Sequence, residues 1–391
     1  MKKKELVIVN LIIAVMVLGF GWLAFKLSLN PNSKTTGAPT ATQALAKQDA
    51  ACSKAAPLHI VANGDPNLER LKEYQDVCSS FVTNKMMVFT TFAQDRSAAT
   101  ALAAKLAPTL KAFKESGVTP IVVAEPYITS ETMPYKAYLA GTYDDGMNYF
   151  FQQLKADGVT DSMMGTWVPF PESNVPGWNN IGTEPHDYAL CVNKYLGLLK
   201  HYYPGAQGSI LLSATTYEPD DVNWNNGNYF SLTPYVDALD PKLVTSVGIE
   251  GFPWMSNAQQ SKRTIFKAAE FLQPDLAIGM AQVLHTRDIW INTGTFASKY
   301  TNDPSKTVYL SVAERKEILN DILQVATNNI RDYQENQYRV SINLFSEDKS
   351  STPEATDWSY FQNIESQSVL KGFLAQASAD GIPVSISDKT D

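Results

Sequence analysis

Apolar residues open the chain as one block and then return as short bursts. The block runs from Leu6 to Phe25, is broken only by Asn10, and follows Met1-Lys2-Lys3-Lys4. About 20 apolar residues are enough for one helix to cross a ~30 Å hydrocarbon core, and flanking lysines stay on the cytoplasmic side. A cleaved signal peptide has an apolar region of only ~7–15 residues that ends close to a small-residue site. Here the run is longer, and the nearest such site, Ala44-Leu45-Ala46, lies well downstream. The pattern predicts a cytoplasmic stub and transmembrane signal anchor over residues 1–29, with secretion after cleavage as the alternative. Residues 30–57 are rich in Ala, Thr, Ser and Lys and have no apolar period, the composition of a flexible linker.

From residue 58 to 391, β-branched or apolar bursts alternate with amphipathic stretches. The bursts are His59–Ala62, Met86–Phe92, Pro120–Ala124, Gly165–Phe170, Ser209–Ser213, Val244–Ile249, Leu276–Ala281 and Arg339–Phe345. Between them lie helix signals. Thr142-x-x-Asp145 opens one helix, Ser311-x-x-Glu314 is a capping box, and Thr183-Glu184-Pro185 puts proline in a first turn. Ala98–Ser116, interrupted by Pro108, and Ala258–Leu272 are further helices. A strand followed by a helix, eight times over, predicts an α/β fold of the (β/α)₈ TIM-barrel type. An open doubly wound sheet would carry a Gly-rich phosphate turn after its first strand, and Asn63-Gly64-Asp65 is not one.

Charge narrows the partners. The 391-residue chain has a net charge of −8. Residues 1–57 hold seven lysines against Glu5 and Asp49, a surplus of five, so residues 58–391 carry −13. A body that acidic repels nucleic acid and anionic membrane surfaces, while neutral ligands stay open to it. Cys52 and Cys78 could pair across the linker–body junction or remain two thiols; Cys191 falls within a helical pattern and reads as a core thiol. His-Glu-x-x-His, Cys-x-x-Cys, Gly-x-Ser-x-Gly and Walker motifs are all absent, so no metal and no cofactor is expected.

Chemistry in such barrels sits where strands end. Past the third burst come Glu125-Pro126-Tyr127, and past the fourth Pro171-Glu172-Ser173-Asn174 with Trp178 behind. Tyr217, Glu218 and Trp224 follow the fifth, and Glu250-Gly251-Phe252-Pro253-Trp254 ends the sixth. Gln282, His285 and Trp290 follow the seventh, and Glu347, Asp348 and Trp358 the eighth. One tryptophan after each of five successive bursts, beside carboxylates and amides, suits sugar rings, whose C–H faces stack while their hydroxyls take hydrogen bonds. An oligo- or polysaccharide is the expected partner.

The order Gly117-Val-Thr-Pro-Ile-Val-Val-Ala-Glu-Pro-Tyr, Leu139-Ala-Gly-Thr-Tyr-Asp-Asp, Val168-Pro-Phe-Pro-Glu-Ser-Asn and Glu184-Pro-His-Asp-Tyr resembles glycoside hydrolase family 26, the β-mannanase-like members of a retaining (β/α)₈-barrel clan. Val247-Gly-Ile-Glu-Gly-Phe and Ile342-Asn-Leu-Phe resemble its strands six and eight. The resemblance spans roughly residues 58–365. It implies an endo-β-mannanase-like activity on β-linked polysaccharide, with Glu172 as general acid/base and Asn174 as the amide that fixes the neighbouring sugar. The family's nucleophile, a Glu ending strand seven, is matched by Gln282, and an amide is a far poorer nucleophile. Pro171 stands where the family has His, and Phe252 where it has the Tyr that supports the nucleophile. Glu250 is then the candidate second carboxylate, two strands from Glu172 and at the ~6.5–9.5 Å of an inverting pair, or else a group that bonds neighbouring loops. Glu125, Tyr127, Trp178, Trp224, Phe252, Trp254, His285 and Trp290 are the expected substrate contacts. The readings left standing are a membrane-anchored, extracytoplasmic glycosidase, a glycan-binding pseudoenzyme that lost its nucleophile, and a cell-envelope scaffold.

Overall fold

The computed structural model describes residues 85–128, 131–175, 185–214, 232–253, 267–299, 308–349, 356–360 and 364–387. The apolar block, the linker, Cys52, Cys78 and the His59–Ala62 burst lie outside these residues. So do Trp178, Tyr217, Glu218, Trp224 and Trp254. Among the described residues, no helix is long and apolar enough to cross a membrane.

Eight parallel strands close a barrel: β1 Lys85–Thr91, β2 Thr119–Glu125, β3 Thr166–Pro169, β4 Gln207–Ser213, β5 Val244–Glu250, β6 Asp288–Thr293, β7 Arg339–Phe345 and β8 Val384–Ser387. Each pairs with its neighbour in chain order, and β8 returns to β1 with Met86 opposite Ile386. The helices that follow most of the strands are α1 Arg96–Glu115, α2 Asp144–Ala156, α3 Pro185–Tyr202, α4 Pro274–Val283, α5 Val312–Gln324 and α6 Ile364–Ala379. Strand–helix alternation with parallel neighbours is the (β/α)₈ architecture.

Two strands are not where the apolar pattern puts them. Leu276–Ala281 is not a strand but the middle of α4, and β6 is instead Asp288–Thr293. The eighth strand is Val384–Ser387, so the circle closes at its C-terminal end. The α4 segment is continuously apolar, and four to eight apolar residues alone do not separate a buried strand from a buried helix turn. Pro274 at its start is the local cue, since proline suits the first helical turn.

Elsewhere local side chains fix the helix ends. Asp95 caps α1 by accepting from Ala98 N–H at 2.9 Å, and α1 continues through Pro108 without a break. Ser311 and Glu314 form the reciprocal capping box of α5. Asp144 and Asp145 lie in the first turn of α2, where the helix dipole favours them; they also pair with Lys194 at 2.6 Å and Arg96 at 2.9 Å. Cys191 is fully buried on α3, and burial pushes its thiol up to about 12.

The core has two compartments. The larger, between strands and helices, gathers rings such as Phe92, Phe150, Phe151, Trp167 and Tyr195. The smaller fills the barrel interior with Met87, Ile121, Val123, Val168, Leu211 and Trp290. Trp290 points inward from β6 and donates its Nε1–H to Ser209 Oγ at 2.9 Å. Gly248 on β5 makes room for it: a Cβ there would lie 2.4 Å from the indole.

Candidate active site

β3 leaves the barrel at Pro169, and the chain turns through Phe170-Pro171-Glu172-Ser173-Asn174. Phe170 and Glu172 have left-handed backbones, φ 54° and 53°, which costs a residue with a Cβ about 1–2 kcal/mol. The loop is pinned from several sides. Phe170 N–H donates to Ala124 O at 3.0 Å, and Glu172 N–H donates to Leu211 O at 2.8 Å. Ser173 Oγ donates to Phe170 O at 2.8 Å. Asn174 Nδ2 donates to Ser213 O at 2.7 Å, while Ser213 N–H donates to Asn174 Oδ1 at 2.9 Å. Backbone strain that persists because surrounding contacts over-determine it is typical of functional loops.

This clamp gives Asn174 a structural role. The side chain is buried and its amide is engaged on both sides by the Ser213 backbone. It ties the Glu172 loop to β4.

Glu250 is the last residue of β5 and is 8% exposed. Its side chain is hydrogen-bonded to that of Glu172. The two carboxyls are near enough to share a hydrogen bond, closer than the ~6.5–9.5 Å expected of an inverting pair. The Glu172 carboxyl is held well above the usual carboxylate range, first by burial, then by the Glu250 charge and the hydrogen bond to it. Glu125 adds to this, and Lys349 opposes it. Two like charges at hydrogen-bonding range repel, which favours a single proton on the pair.

Four more residues stand around the pair. Glu125 ends β2, and Tyr127 follows two residues later, its phenol raised by burial and by the charges of Glu125 and Glu172. Lys349, in a two-residue strand past β7, lies 3.9 Å from Glu347 Oε2 and 4.9 Å over the Phe345 ring. Phe252, half-buried just past Glu250, packs on Trp358 at 4.8 Å and Phe345 at 5.7 Å between ring centroids.

The structure separates the other candidates from this cluster. Gln282 is an exposed residue at the end of α4, so it is not a strand-end residue. His285 follows it in the turn that enters β6, at the barrel end opposite the carboxylates. Trp290 is interior packing, not a stacking platform, and Trp358 is buried among Phe252, Phe296 and Phe345. Three strands on from Glu172, β6 ends in Asn292 and Thr293, neither of them acidic. Among the described residues, no three His, Cys, Asp or Glu gather to hold a metal ion.

Sequence reasoning missed a row beside Glu250. Glu250, Asn292, Asn343 and Ser385 are register partners on β5, β6, β7 and β8. Asn292 Nδ2 donates to Glu250 Oε2, and Asn343 Nδ2 donates to Asn292 Oδ1 at 2.5 Å. Ser385 Oγ donates to Asn343 Oδ1 at 3.0 Å. All three lie within 5% exposure. The available signal was an amide within an apolar strand, as in Ile342-Asn343-Leu344.

No protein-family model matches the chain. No curated protein matches it either. Among solved structures it is similar to β-glucosidase 1317, at 12% identity and TM-score 0.48, over 86% of this chain and 94% of that one. It is also similar to an endo-1,4-β-D-mannanase from Thermotoga petrophila RKU-1, at 10% identity and TM-score 0.44, over 82% and 99%. A β-1,4-D-mannanase from Cryptopygus antarcticus matches at 12% identity and TM-score 0.45, over 82% and 86%. The assignment of the barrel rests on its own strand order, and the chemistry on its own residues.

Proposed function

We propose that the chain is a glycosidase acting on neutral β-linked polysaccharide, with Glu172 as general acid/base and Glu250 as nucleophile. The observation that carries the reading is the Glu172–Glu250 carboxyl pair at the strand ends of the barrel, with Glu172 pushed toward its protonated form. A glycosidase needs one carboxylic acid and one carboxylate flanking the scissile bond, with unequal proton affinities.

A glycan entering between the two carboxyls exchanges their mutual hydrogen bond for one from Glu172 to the glycosidic oxygen. Glu172 transfers its proton to that oxygen as the C1–O bond breaks, and a Glu250 oxygen bonds to C1. Glu172, now a carboxylate, takes a proton from water as the water oxygen attacks C1 and Glu250 leaves. Retention needs the carboxyls ~5–5.5 Å apart and inversion ~6.5–9.5 Å; from a hydrogen-bonded pair, the double displacement asks for the smaller opening as the sugar enters. Mannan is the first polymer to test, because of the family resemblance. The Leu6–Phe25 run is proposed to hold the barrel at the outer face of a membrane.

The test is release of reducing ends from mannan and mixed β-glucans. Glu172→Gln and Glu250→Gln are each expected to lower kcat by at least ~10²–10⁴, the range for loss of an acid–base group. The first product should retain the β configuration by proton NMR. Oligosaccharide binding with no turnover would sink the enzyme reading in favour of a glycan-binding protein, and an α product would remove Glu250 as nucleophile.

A further inference from the structure

A carboxyl pair with one proton has two ways to hold it, and acid catalysis by Glu172 requires the proton on that side. We propose that Asn292, Asn343 and Ser385 are positioning residues whose hydrogen bonds run one way into Glu250 and make it the ionised member of the pair. This deepens the glycosidase reading and rests on it for the kinetic part of its test.

The row is built by strand register. Four adjacent strands present Glu250, Asn292, Asn343 and Ser385 at one level. Each amide accepts on its oxygen from one neighbour and donates from its nitrogen to the next, so the row has a direction. It begins at the Ser385 hydroxyl and ends with an N–H pointing at Glu250 Oε2. An N–H aimed at a carboxyl oxygen favours the charged form, and a proton on that oxygen would put two donors face to face.

A reversed row would suit a protonated Glu250, so something must select between the two. Met87 on β1 does so. Its Sδ lies 3.9 Å from Asn343 Nδ2, where a thioether accepts weakly from N–H but would only repel a turned carbonyl oxygen. Besides Glu250, the ionisable groups acting on Glu172 are Glu125, from the end of β2, and Lys349, from the strand past β7. Tyr127 and Glu347 stand beside these two. The row itself carries no charge, so it acts through orientation.

The experiment uses the full chain with isotope-labelled glutamate and follows the protonated-carboxyl stretch by infrared spectroscopy across pH. At neutral pH the wild-type band should vanish in Glu172→Gln. Asn343→Leu frees Asn292 to turn its oxygen toward Glu250, and the titration of the pair should move up by about one pH unit, a ~10-fold gain in proton affinity. The acidic limb of kcat/KM should move the same way, with KM little changed because Asn343 is 1% exposed. Ser385→Ala should give a smaller shift in the same direction, and Ser385→Thr, which keeps the hydroxyl, should restore wild-type behaviour. A protonated glutamate persisting in Glu172→Gln, or an unmoved titration in both Asn343→Leu and Ser385→Ala, would overturn the proposal. A shifted infrared titration in a protein that cleaves no glycan would keep the row and remove the glycosidase reading. An active glycosidase with unmoved titrations would do the reverse.

Discussion

Glu172 is pushed toward its protonated form at some cost to the fold. Its proton affinity is higher in the folded protein than in the unfolded chain, chiefly through burial and then through the charge of Glu250. The stability it contributes is therefore complete below the ordinary carboxylate range, at pH ~4, and is lost as pH rises through the folded value. Glu172→Gln removes the charge that burial opposes. Its urea midpoint should match wild type near pH 4 and exceed it increasingly toward neutral pH, and a gap that stays constant with pH would contradict this. Glu172 and Glu250 were legible in the sequence because each follows a β-rich burst, where a barrel places its chemistry. Asn292 and Asn343 were not, because a polar residue inside an apolar strand reads as locally outward. Only the pairing of separate strands reveals that both point inward, toward one carboxyl.

The elements differ in how much of their placement is local. A capping box announces α5, and β-branched or apolar runs announce β1, β2, β5 and β7. The hydrophobic pattern fails between Pro274 and Thr293, where an apolar stretch is helical and the following Asp288–Thr293 supplies the strand. Tertiary packing decides there: β6 must deliver Trp290 to the barrel interior, and a strand does so beside a glycine. Gly248→Ala tests that fit, since its Cβ would lie 2.4 Å from the indole and 2.8 Å from Ile210 O. Overpacking of this kind costs about 1–3 kcal/mol, to be read from urea unfolding. A loss below ~0.5 kcal/mol, within the range of an ordinary surface substitution, would show that Trp290 has somewhere else to go.

At the scale of the molecule, closure depends on the last strand. β8 pairs with both β7 and β1, so truncation after Pro383 would expose two strand edges at once and delete Ser385. Unpaired edges are templates for association. The truncated chain should elute as oligomers or precipitate on size-exclusion chromatography, and a monodisperse monomer would show that the seam can stay open. The interior compartment has a different consequence. With Trp290, Leu211, Val123 and Ile121 packed beneath the carboxylates, the barrel is a vessel with a stopper in its floor. On the proposed glycosidase reading, hydrolytic water and the departing sugar would pass over the same rim, in opposite directions. A saccharide lingering there would exclude water and stand in its place as acceptor, so the lifetime of the leaving group in the mouth would set the balance between cutting a chain and rejoining one.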